Sequence, residues 1–539
     1  MREKIFIIII IAFLLRVIGL GYGLPMQLVG DETSLIGGSL KMLEAKTLIP
    51  ALAPEQFRLL YYPPVMSYVY LAAFLPYLSY KFLTSGGSIE AIRSTVALDP
   101  SVLWLIARLV TVLLGTLLVY LVFNIGRRLF GSGAGLAASA LVATSFLAVQ
   151  QSHFARHWMP ATFFAYLVIA LGFFIYLRPE RRAYLLAGAL GGIAFGVSYI
   201  TAVAMAVPIA THFIAYGKKA LGRPQIIWLA LMICLFAIIA TIGGLLNFPE
   251  LKRIVVGEDT GLVAAKSFSR LLQALIGSVS SFFHYDPVVL LAGLAGIIVL
   301  ALQHPKLAAV FGGFPLFYWL VLYFFFHFEP RYNMLLVPWF CLLGGYAWSR
   351  ILTLPLSRTI SLSMLIIGLL VPFSIVAYYD WLLLKPDTRQ LAVSYIEDQI
   401  PPGSKIGMYL REFGLIADQA SVNLRQREYP YTLRTKDTVL QTLSPDQYPS
   451  PAFYTINIQQ LTPEDREKVL RDVPFEYIIT EQFEGEELPG ILSSIPLGKN
   501  IAEFSSGPVA MDVNANLSTP LWEIFTLHRL GPQVVIYQQ

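Results

Sequence analysis

Two adjacent acidic residues, Asp31 and Glu32, stand just outside the first hydrophobic span of this 539-residue chain. They open a stretch in which apolar and charged residues alternate with the period of an amphipathic helix lying in the membrane interface. A carboxylate held at that boundary can remove a proton from a hydroxyl or an amine. We therefore predict Asp31 as a general base and Glu32 as the residue that orients it or a substrate. The alternative, that Asp31 only caps its helix, stays open because Asp is a favoured N-cap residue.

Three arginines could complement this acid. Arg156 and Arg331 each stand where a predicted span meets the water, a place where an anionic headgroup could be held. The alternative is that such arginines reach to water or pair with a neighbouring acid, such as Glu329. Arg108 lies deeper in its span and therefore needs a partner, which we predict to be Asp99 or a lipid phosphate.

Composition assigns the class of protein. Hydrophobic residues make up 56% of the chain, charged residues only 14%, and the mean hydropathy is +0.64. One soluble core could not bury that much apolar surface, so the chain is predicted to be a polytopic membrane protein. The net charge of +5 is modest, and no nucleic-acid partner is predicted. Cys234 and Cys341 both fall inside apolar runs without the spacing of a metal or redox site.

Basic residues order the spans through the positive-inside rule. Arg2 and Lys4 place the N-terminus in the cytoplasm, and Arg127 faces the same side only if residues 63–82 do not cross. We therefore predict a juxtamembrane or re-entrant helix at 63–82. The predicted spans are 5–24, 101–125, 133–150, 158–177, 183–199, 201–216, 226–247, 287–303, 308–326, 333–349 and 359–380. Eleven crossings place the C-terminus outside, in a multi-pass protein of the plasma (inner) membrane.

The chain divides into two predicted domains. Residues 1–384 form the transmembrane domain, with a long first outer loop at 25–100 that carries the acidic pair. Residues 385–539 lack a spanning run and alternate short polar and apolar segments, so they predict a small extracytoplasmic α/β domain. Within it, 391–400 is predicted as a helix, and 405–410, 475–480 and 533–537 as strands.

The order of these features resembles a known family. An N-terminal span is followed by the acidic pair, then Tyr62-Pro63-Pro64, then Ala107-Arg108-Leu109 opening the next span. The motifs Ser152-His153-Phe154-Ala155-Arg156 and Arg331-Tyr332, with the trailing soluble domain, complete the series. The arrangement is similar to the GT-C glycosyltransferases, in particular the protein O-mannosyltransferases and the lipid A aminoarabinose transferases.

The resemblance implies a GT-C fold and transfer of a sugar from a polyprenyl-phosphate donor to a protein, glycan or lipid acceptor at the outer membrane face. By this likeness Asp31, with Glu32, is catalytic, and Arg331, Arg156 and Arg108 hold the donor phosphate. Three further residues are predicted to line the substrate pocket: His153, Tyr332 and Tyr62. No cofactor is predicted, and a divalent metal stays open, since the outer loops carry no Asp-x-Asp motif.

Two other classes of protein remain as alternatives. A lipid-linked-sugar transporter or flippase would also be polytopic, although transporters place ionisable groups near the membrane midplane between internal repeats. A membrane-tethered assembly scaffold would use residues 385–539 as its working part. Replacing Asp31 separates the three classes, because only the enzyme needs that carboxylate.

Overall fold

The chain is divided into two compact units. The computed structural model describes residues 2–57, 60, 62–222, 224–245, 268–325, 329–351, 358–411, 413–483, 497–508, 510–511 and 521–539. The first unit contains Met1–Leu20, Asp31–Ala73 and Ile106–Asp380. The second contains Gly21–Gly30, Phe74–Leu105 and Trp381–Gln539. Parts of the predicted first loop, 25–100, therefore belong to each unit.

Helices dominate the described chain. In order they are α1 (Arg2–Val17), α2 (Gly30–Glu44), α3 (Val65–Thr84), α4 (Ile89–Leu98), α5 (Ser101–Phe130), α6 (Ser132–Thr144), α7 (Phe146–His153), α8 (Trp158–Leu177), α9 (Arg181–Val197), α10 (Ala206–Tyr216), α11 (Gln225–Leu245), α12 (Phe268–Tyr285), α13 (Pro287–Gln303), α14 (Pro305–Phe325), α15 (Val337–Ile351), α16 (Arg358–Leu383), α17 (Thr388–Gln399), α18 (Gln419–Glu428), α19 (Thr435–Thr442) and α20 (Pro463–Asp472). Nine 3-10 helices also occur in the described ranges, among them Tyr199–Met205 and Pro330–Leu335.

Several helices are suited to a membrane. In the described ranges, six are long and apolar enough to cross it: Ser101–Phe130, Trp158–Leu177, Tyr199–Lys219, Gln225–Gly243, Pro305–Leu322 and Ile366–Gln399. The number is eight if two bent helix pairs each count as one span. The chain is thus mainly helical and polytopic, as predicted. Helix α3 is not among these candidates, and its predicted place along the membrane stays a prediction.

The two bent pairs have local causes. Helices α6 and α7 meet at 55° around Ser145, whose hydroxyl accepts a hydrogen bond from the Ala148 amide and so starts a new helix. The end of α12 and α13 meet at 117°, where Pro287 lacks the amide hydrogen that a continuous helix needs. The carboxylate of Asp286 accepts hydrogen bonds from the Ser145 hydroxyl and the Phe146 amide, at 2.9 and 2.8 Å, so the two bends are joined.

Arg16 is completely buried, and its guanidinium is used inside the bundle. Nη1 donates to the carbonyl oxygens of Ala12 at 2.9 Å and Ala143 at 3.2 Å, and Nη2 donates to Val142 at 3.0 Å. Ala143 and Val142 belong to the last turn of α6, where helix carbonyls lack intrahelical partners. Arg16 therefore caps the end of α6 just before the bend.

Small residues allow the helices of the first unit to pack closely. A Cβ atom added to Gly296 of α13 would lie 2.1 Å from the Leu343 carbonyl oxygen of α15. One added to Gly188 of α9 would lie 2.4 Å from the Met232 carbonyl oxygen of α11. Glycine at these positions lets backbones approach at distances that any side chain would prevent.

The C-terminal unit contains a five-stranded sheet. Its strands are β1 (Lys405–Tyr409), β2 (Tyr454–Asn457), β3 (Tyr477–Gln482), β4 (Lys499–Phe504) and β5 (Gln533–Gln538), in the order β2-β1-β3-β5-β4. Strand β1 is parallel to β2 and β3, whereas β5 is antiparallel to β3 and β4. The predicted α/β character is confirmed. The three predicted strands are present within about two residues, as expected for pattern-based boundaries.

Candidate active site

Helix α2 directs its two acidic residues to different surroundings. Successive residues on an α-helix point about 100° apart, so Asp31 and Glu32 cannot share one environment. The Asp31 side chain is 24% exposed, whereas the Glu32 side chain is fully buried. The adjacent acids therefore separate into one that solvent or a ligand can reach and one that is enclosed.

Asp31 lies among three of the predicted site residues. Arg331 Nη1 lies 3.4 Å from Asp31 Oδ2, and Arg156 Nε lies 3.7 Å from the same oxygen. The Tyr62 hydroxyl donates a hydrogen bond to Oδ1 at 3.3 Å. These distances exceed the roughly 2.7–2.9 Å of a tight guanidinium–carboxylate bond. The cluster therefore has room to contract around a ligand, as catalytic groups often do.

The charges around Asp31 keep it ionised. Burial alone would raise the pKa of its carboxyl, but Arg156 and Arg331, with the Tyr62 hydrogen bond, hold that pKa below its usual range. Burial lowers the pKa of His157 to about 3, so its imidazole is neutral at physiological pH. Burial, and next the Asp31 charge, raise the pKa of Tyr62, so its hydroxyl remains a donor. An anionic carboxylate with two cations can accept a proton while the cations hold an anion.

Glu32 and Arg108 form a buried ion pair. Arg108 Nε donates to Glu32 Oε1 at 2.8 Å and Nη2 donates to Oε2 at 2.7 Å, so the contact is bidentate. Glu32 Oε1 also accepts from the Ala155 amide at 2.7 Å. The predicted partner of Arg108, Asp99 or a lipid phosphate, is corrected to Glu32. The remaining Nη1 donates to the Leu20 carbonyl oxygen at 2.7 Å, and the functional roles predicted for Glu32 and Arg108 stay predictions.

The segment after α7 connects that ion pair to Asp31. The centre of the Phe154 ring is 5.3 Å from the Arg108 guanidinium and 5.8 Å from that of Arg156, within the range of cation–π attraction. Ala155, which donates to Glu32, directly precedes Arg156. Arg156 is only 1% exposed, so its guanidinium is held in place by its surroundings.

Arg331 is positioned by the 3-10 helix Pro330–Leu335. Its Nε contacts Glu329 Oε2 at 2.6 Å, so it has the neighbouring acidic partner considered as an alternative above, in addition to Asp31. Asn333 anchors this segment to α12, since the Ser278 hydroxyl donates to its Oδ1 at 2.6 Å and its Nδ2 donates to the Ser278 carbonyl at 3.0 Å. The Tyr318 hydroxyl adds a hydrogen bond to the Tyr332 carbonyl at 2.6 Å. No sequence pattern indicates the Asn333 anchor, because its partner in α12 is 55 residues away.

Four aromatic rings lie in a series beside Asp31. Ring centroids are 4.0 Å apart between Tyr62 and His157, 4.4 Å between His157 and Trp158, and 4.8 Å between Trp158 and Tyr332. We call these four residues the aromatic ladder. Tyr62 and Tyr332, both predicted pocket residues, form its ends. His157 and Trp158 were not predicted as site residues, although they directly follow Arg156 in the chain.

His153 is held by contacts with three segments of the bundle. Its ring is completely buried, with Nδ1 2.9 Å from the Val149 carbonyl oxygen and Nε2 2.9 Å from that of Ile18. Nε2 also lies 3.3 Å from Asp380 Oδ1. These contacts place His153 at the junction of α7, the end of α1 and α16, and its place in the substrate pocket stays a prediction.

A family model matches the part of the chain that carries two of these arginines. Residues 96–243 match the model described as dolichyl-phosphate-mannose-protein mannosyltransferase. This part of the chain is similar to those mannosyltransferases. The similarity predicted from the motifs is thereby confirmed, over a stretch that includes Arg108, Arg156 and the middle of the aromatic ladder. No curated protein matches the chain.

Solved structures of related shape include two of ArnT from Cupriavidus metallidurans. The apo form is 13% identical, with a TM-score of 0.49, covering 99% of this chain and 98% of that chain. The form bound to undecaprenyl phosphate is 12% identical, with a TM-score of 0.46, covering 99% and 97%. The oligosaccharyltransferase of Archaeoglobus fulgidus tethered with an acceptor peptide is 12% identical, with a TM-score of 0.45, covering 89% of this chain and 68% of that chain.

Proposed function

We propose that the protein is a membrane glycosyltransferase that moves a sugar from a polyprenyl-phosphate donor to an acceptor at the outer membrane face, with inversion at the anomeric carbon. The observation that carries the proposal is the partly exposed Asp31 carboxylate between the guanidiniums of Arg331 and Arg156, at 3.4 and 3.7 Å. The family match over 96–243 supports the same class of enzyme. A protein, glycan or lipid could each supply the acceptor hydroxyl or amine.

The chemistry is a single displacement. Asp31 takes the proton of the acceptor hydroxyl or amine while the acceptor's electron pair forms a bond to the anomeric carbon. The bond from that carbon to the phosphate oxygen breaks, and its electron pair leaves with the lipid phosphate. In this scheme Arg331 and Arg156 stabilise the charge that grows on that oxygen. No step of this scheme requires a cofactor.

Donor binding should change the basicity of Asp31. In the free protein the two arginines lower the pKa of Asp31, and a bound phosphate would neutralise part of their charge. The pKa should therefore rise in the donor complex. Because only the ionised carboxylate acts as base, kcat and kcat/KM should both decrease as the pH is lowered. The decrease in kcat should have its midpoint at a higher pH than the decrease in kcat/KM, because kcat reports the donor complex. Measuring kcat and kcat/KM of the purified protein as a function of pH tests this. The same midpoint for both quantities would contradict it.

Replacing Arg331 by Gln should weaken the leaving-group interaction. We expect kcat/KM to fall about 10²- to 10³-fold, the typical loss for one preorganised donor to a developing negative charge. Steady-state kinetics with a polyprenyl-phosphate sugar measure the effect. Arg427→Gln is the matched control, because Arg427 is an exposed arginine of the C-terminal unit, and it should leave the kinetics unchanged. Equal kinetics for the two variants would remove Arg331 from the site.

We also propose the full topology. Helices α1, α9 and α15 are apolar and have 16, 17 and 15 residues, so they are shorter than the six candidate spans. Counting them, with α13 and the bent pair α6–α7, gives eleven spans. The N-terminus is then cytoplasmic, the catalytic domain 1–384 lies in the plasma (inner) membrane, and 385–539 is a soluble extracytoplasmic domain.

The proposed activity is tested with purified protein and a panel of polyprenyl-phosphate sugars. Each donor is incubated with peptide, glycan and lipid acceptors, with and without added divalent cation, and all products are identified by mass spectrometry. The proposal expects one donor to give a glycosylated acceptor and free polyprenyl phosphate. Absence of transfer from every donor, with the protein folded, would overturn it.

A further inference from the structure

Two buried ring nitrogens near Asp31 lack a hydrogen-bond partner in the part of the chain that the structure describes. Among the described residues, neither His157 Nδ1 nor Trp158 Nε1 has a hydrogen-bond partner, although the two residues are only 3% and 6% exposed. Buried polar groups in folded proteins are nearly always paired, and leaving one unpaired is costly. These two atoms are therefore suited to a ligand that supplies what the protein does not.

The position of these nitrogens separates them from other unpaired indoles. Trp104, Trp319 and Trp348 also carry indole nitrogens without a partner in the described chain. His157 and Trp158 differ because they are the two middle members of the aromatic ladder. One end of the ladder, Tyr62, donates a hydrogen bond to Asp31, and the other end, Tyr332, follows Arg331 in the chain. Both nitrogens thus belong to the surroundings of the proposed base and phosphate site.

We propose that the aromatic ladder is the subsite for the sugar being transferred, with the ring nitrogens of His157 and Trp158 as its hydrogen-bonding groups. The inference rests on the proposed function and assigns residues to its sugar. A pyranose presents an apolar C–H face, which packs on aromatic rings, and hydroxyl groups, which both donate and accept. The indole N–H can only donate, whereas a neutral imidazole nitrogen donates or accepts according to its tautomer.

The charges nearby select the kind of sugar. The four ladder residues carry no charge in their prevailing forms, and the contacts of Arg156 and Arg331 with Asp31 and Glu329 leave the surrounding charges balanced. An anionic sugar would compete with the donor phosphate for the same guanidiniums. The subsite therefore fits an uncharged pyranose.

Binding measurements can isolate the contribution of the sugar. The probes are undecaprenyl phosphate alone and the same lipid carrying mannose or glucose, each titrated into the full-length protein. Trp158→Phe and His157→Phe keep an aromatic ring and remove the nitrogens. We expect both variants to bind the bare lipid as the wild type does and to bind the better sugar-bearing lipid roughly 5- to 10-fold more weakly, the loss of about one hydrogen bond.

The control is Trp348→Phe, which removes an unpaired indole nitrogen outside the ladder and should change neither affinity. Thermal unfolding of all variants identifies any that fold poorly. If His157→Phe does, the inference is judged on Trp158→Phe, which is the milder change. If wild-type protein transfers sugar but both ladder variants keep full affinity for the sugar-bearing lipid, the inference is overturned and the function stands. The same holds if they lose affinity for both lipids equally. If the wild type transfers sugar from no donor, the proposed function itself fails.

Discussion

Asp31→Asn is expected to reduce kcat about 10²- to 10⁴-fold, the range that a general base contributes. Asn keeps the size of the side chain and can still accept from the Tyr62 hydroxyl, but it cannot take the acceptor proton. Because Arg156 and Arg331 then lose a neutralising carboxylate, the variant should bind undecaprenyl phosphate at least as tightly as the wild type does. Turnover assays and lipid titrations of the same preparation measure both effects.

The control for this variant is Asp99→Asn. Asp99 is another acid of the predicted first outer loop, and it ends α4. Its replacement should leave turnover and lipid affinity unchanged. Near-normal turnover by Asp31→Asn, with normal folding, would exclude Asp31 as the base.

Glu32→Ala is expected to have the largest effect on stability, a loss of about 3–5 kcal/mol in the free energy of unfolding. The substitution leaves the buried Arg108 guanidinium without its bidentate partner and removes the acceptor of the Ala155 amide. Glu32→Gln should lose less, because it keeps hydrogen-bonding groups at the same place. Denaturant or thermal unfolding in detergent gives the comparison.

Glu44→Ala provides the matched control in the same helix. Glu44 pairs with Lys41 at 2.5 Å, but both side chains are exposed to solvent, and such a pair contributes at most about 1 kcal/mol. The double variant Glu32→Ala with Arg108→Ala should lose less than the sum of the two single variants, since it leaves no uncompensated charge. Equal stability of Glu32→Ala and Glu44→Ala would show that the buried pair is not formed.

The centre of the site could be predicted from the sequence because the positions of charged residues indicate on which side of the membrane each loop lies. The positive-inside rule assigned Asp31, Arg156 and Arg331 to one face from the pattern of basic residues alone. The structure brings all three together, with Tyr62 and next to Tyr332. A spatial cluster could be predicted here because topology alone sorts residues by side.

Contacts between distant segments could not be predicted in the same way. Glu32 and Arg108 are 76 residues apart, and nothing in either motif shows that two buried side chains pair with each other. Asp286 precedes Pro287, a pattern typical of a helix start, yet its carboxylate caps α7, 140 residues earlier in the chain. His153 contacts the Ile18 carbonyl oxygen, 135 residues earlier in the chain. Each of these depends on how helices pack, and a local pattern does not contain that information.

Two strands of the sheet could not be predicted from the sequence either. The apolar cores of β1, β3 and β5 made these strands visible in the sequence, and each contains buried residues. Strand β4 has no buried residue, and β2 has only four residues, so neither has a strong alternating pattern. Edge strands of this kind are stabilised by pairing with a neighbour more than by their own sequence.

The most direct test of the proposed mechanism is the anomeric configuration and stoichiometry of the product. Wild-type protein is given the donor that it uses and a defined acceptor, and magnetic resonance of the product is combined with quantification of the released lipid. A single displacement predicts one polyprenyl phosphate released for each sugar transferred, with the anomeric configuration inverted, and loss of both products in Asp31→Asn. A product of retained configuration, or an intact lipid-linked sugar moved across the bilayer without cleavage, would contradict it.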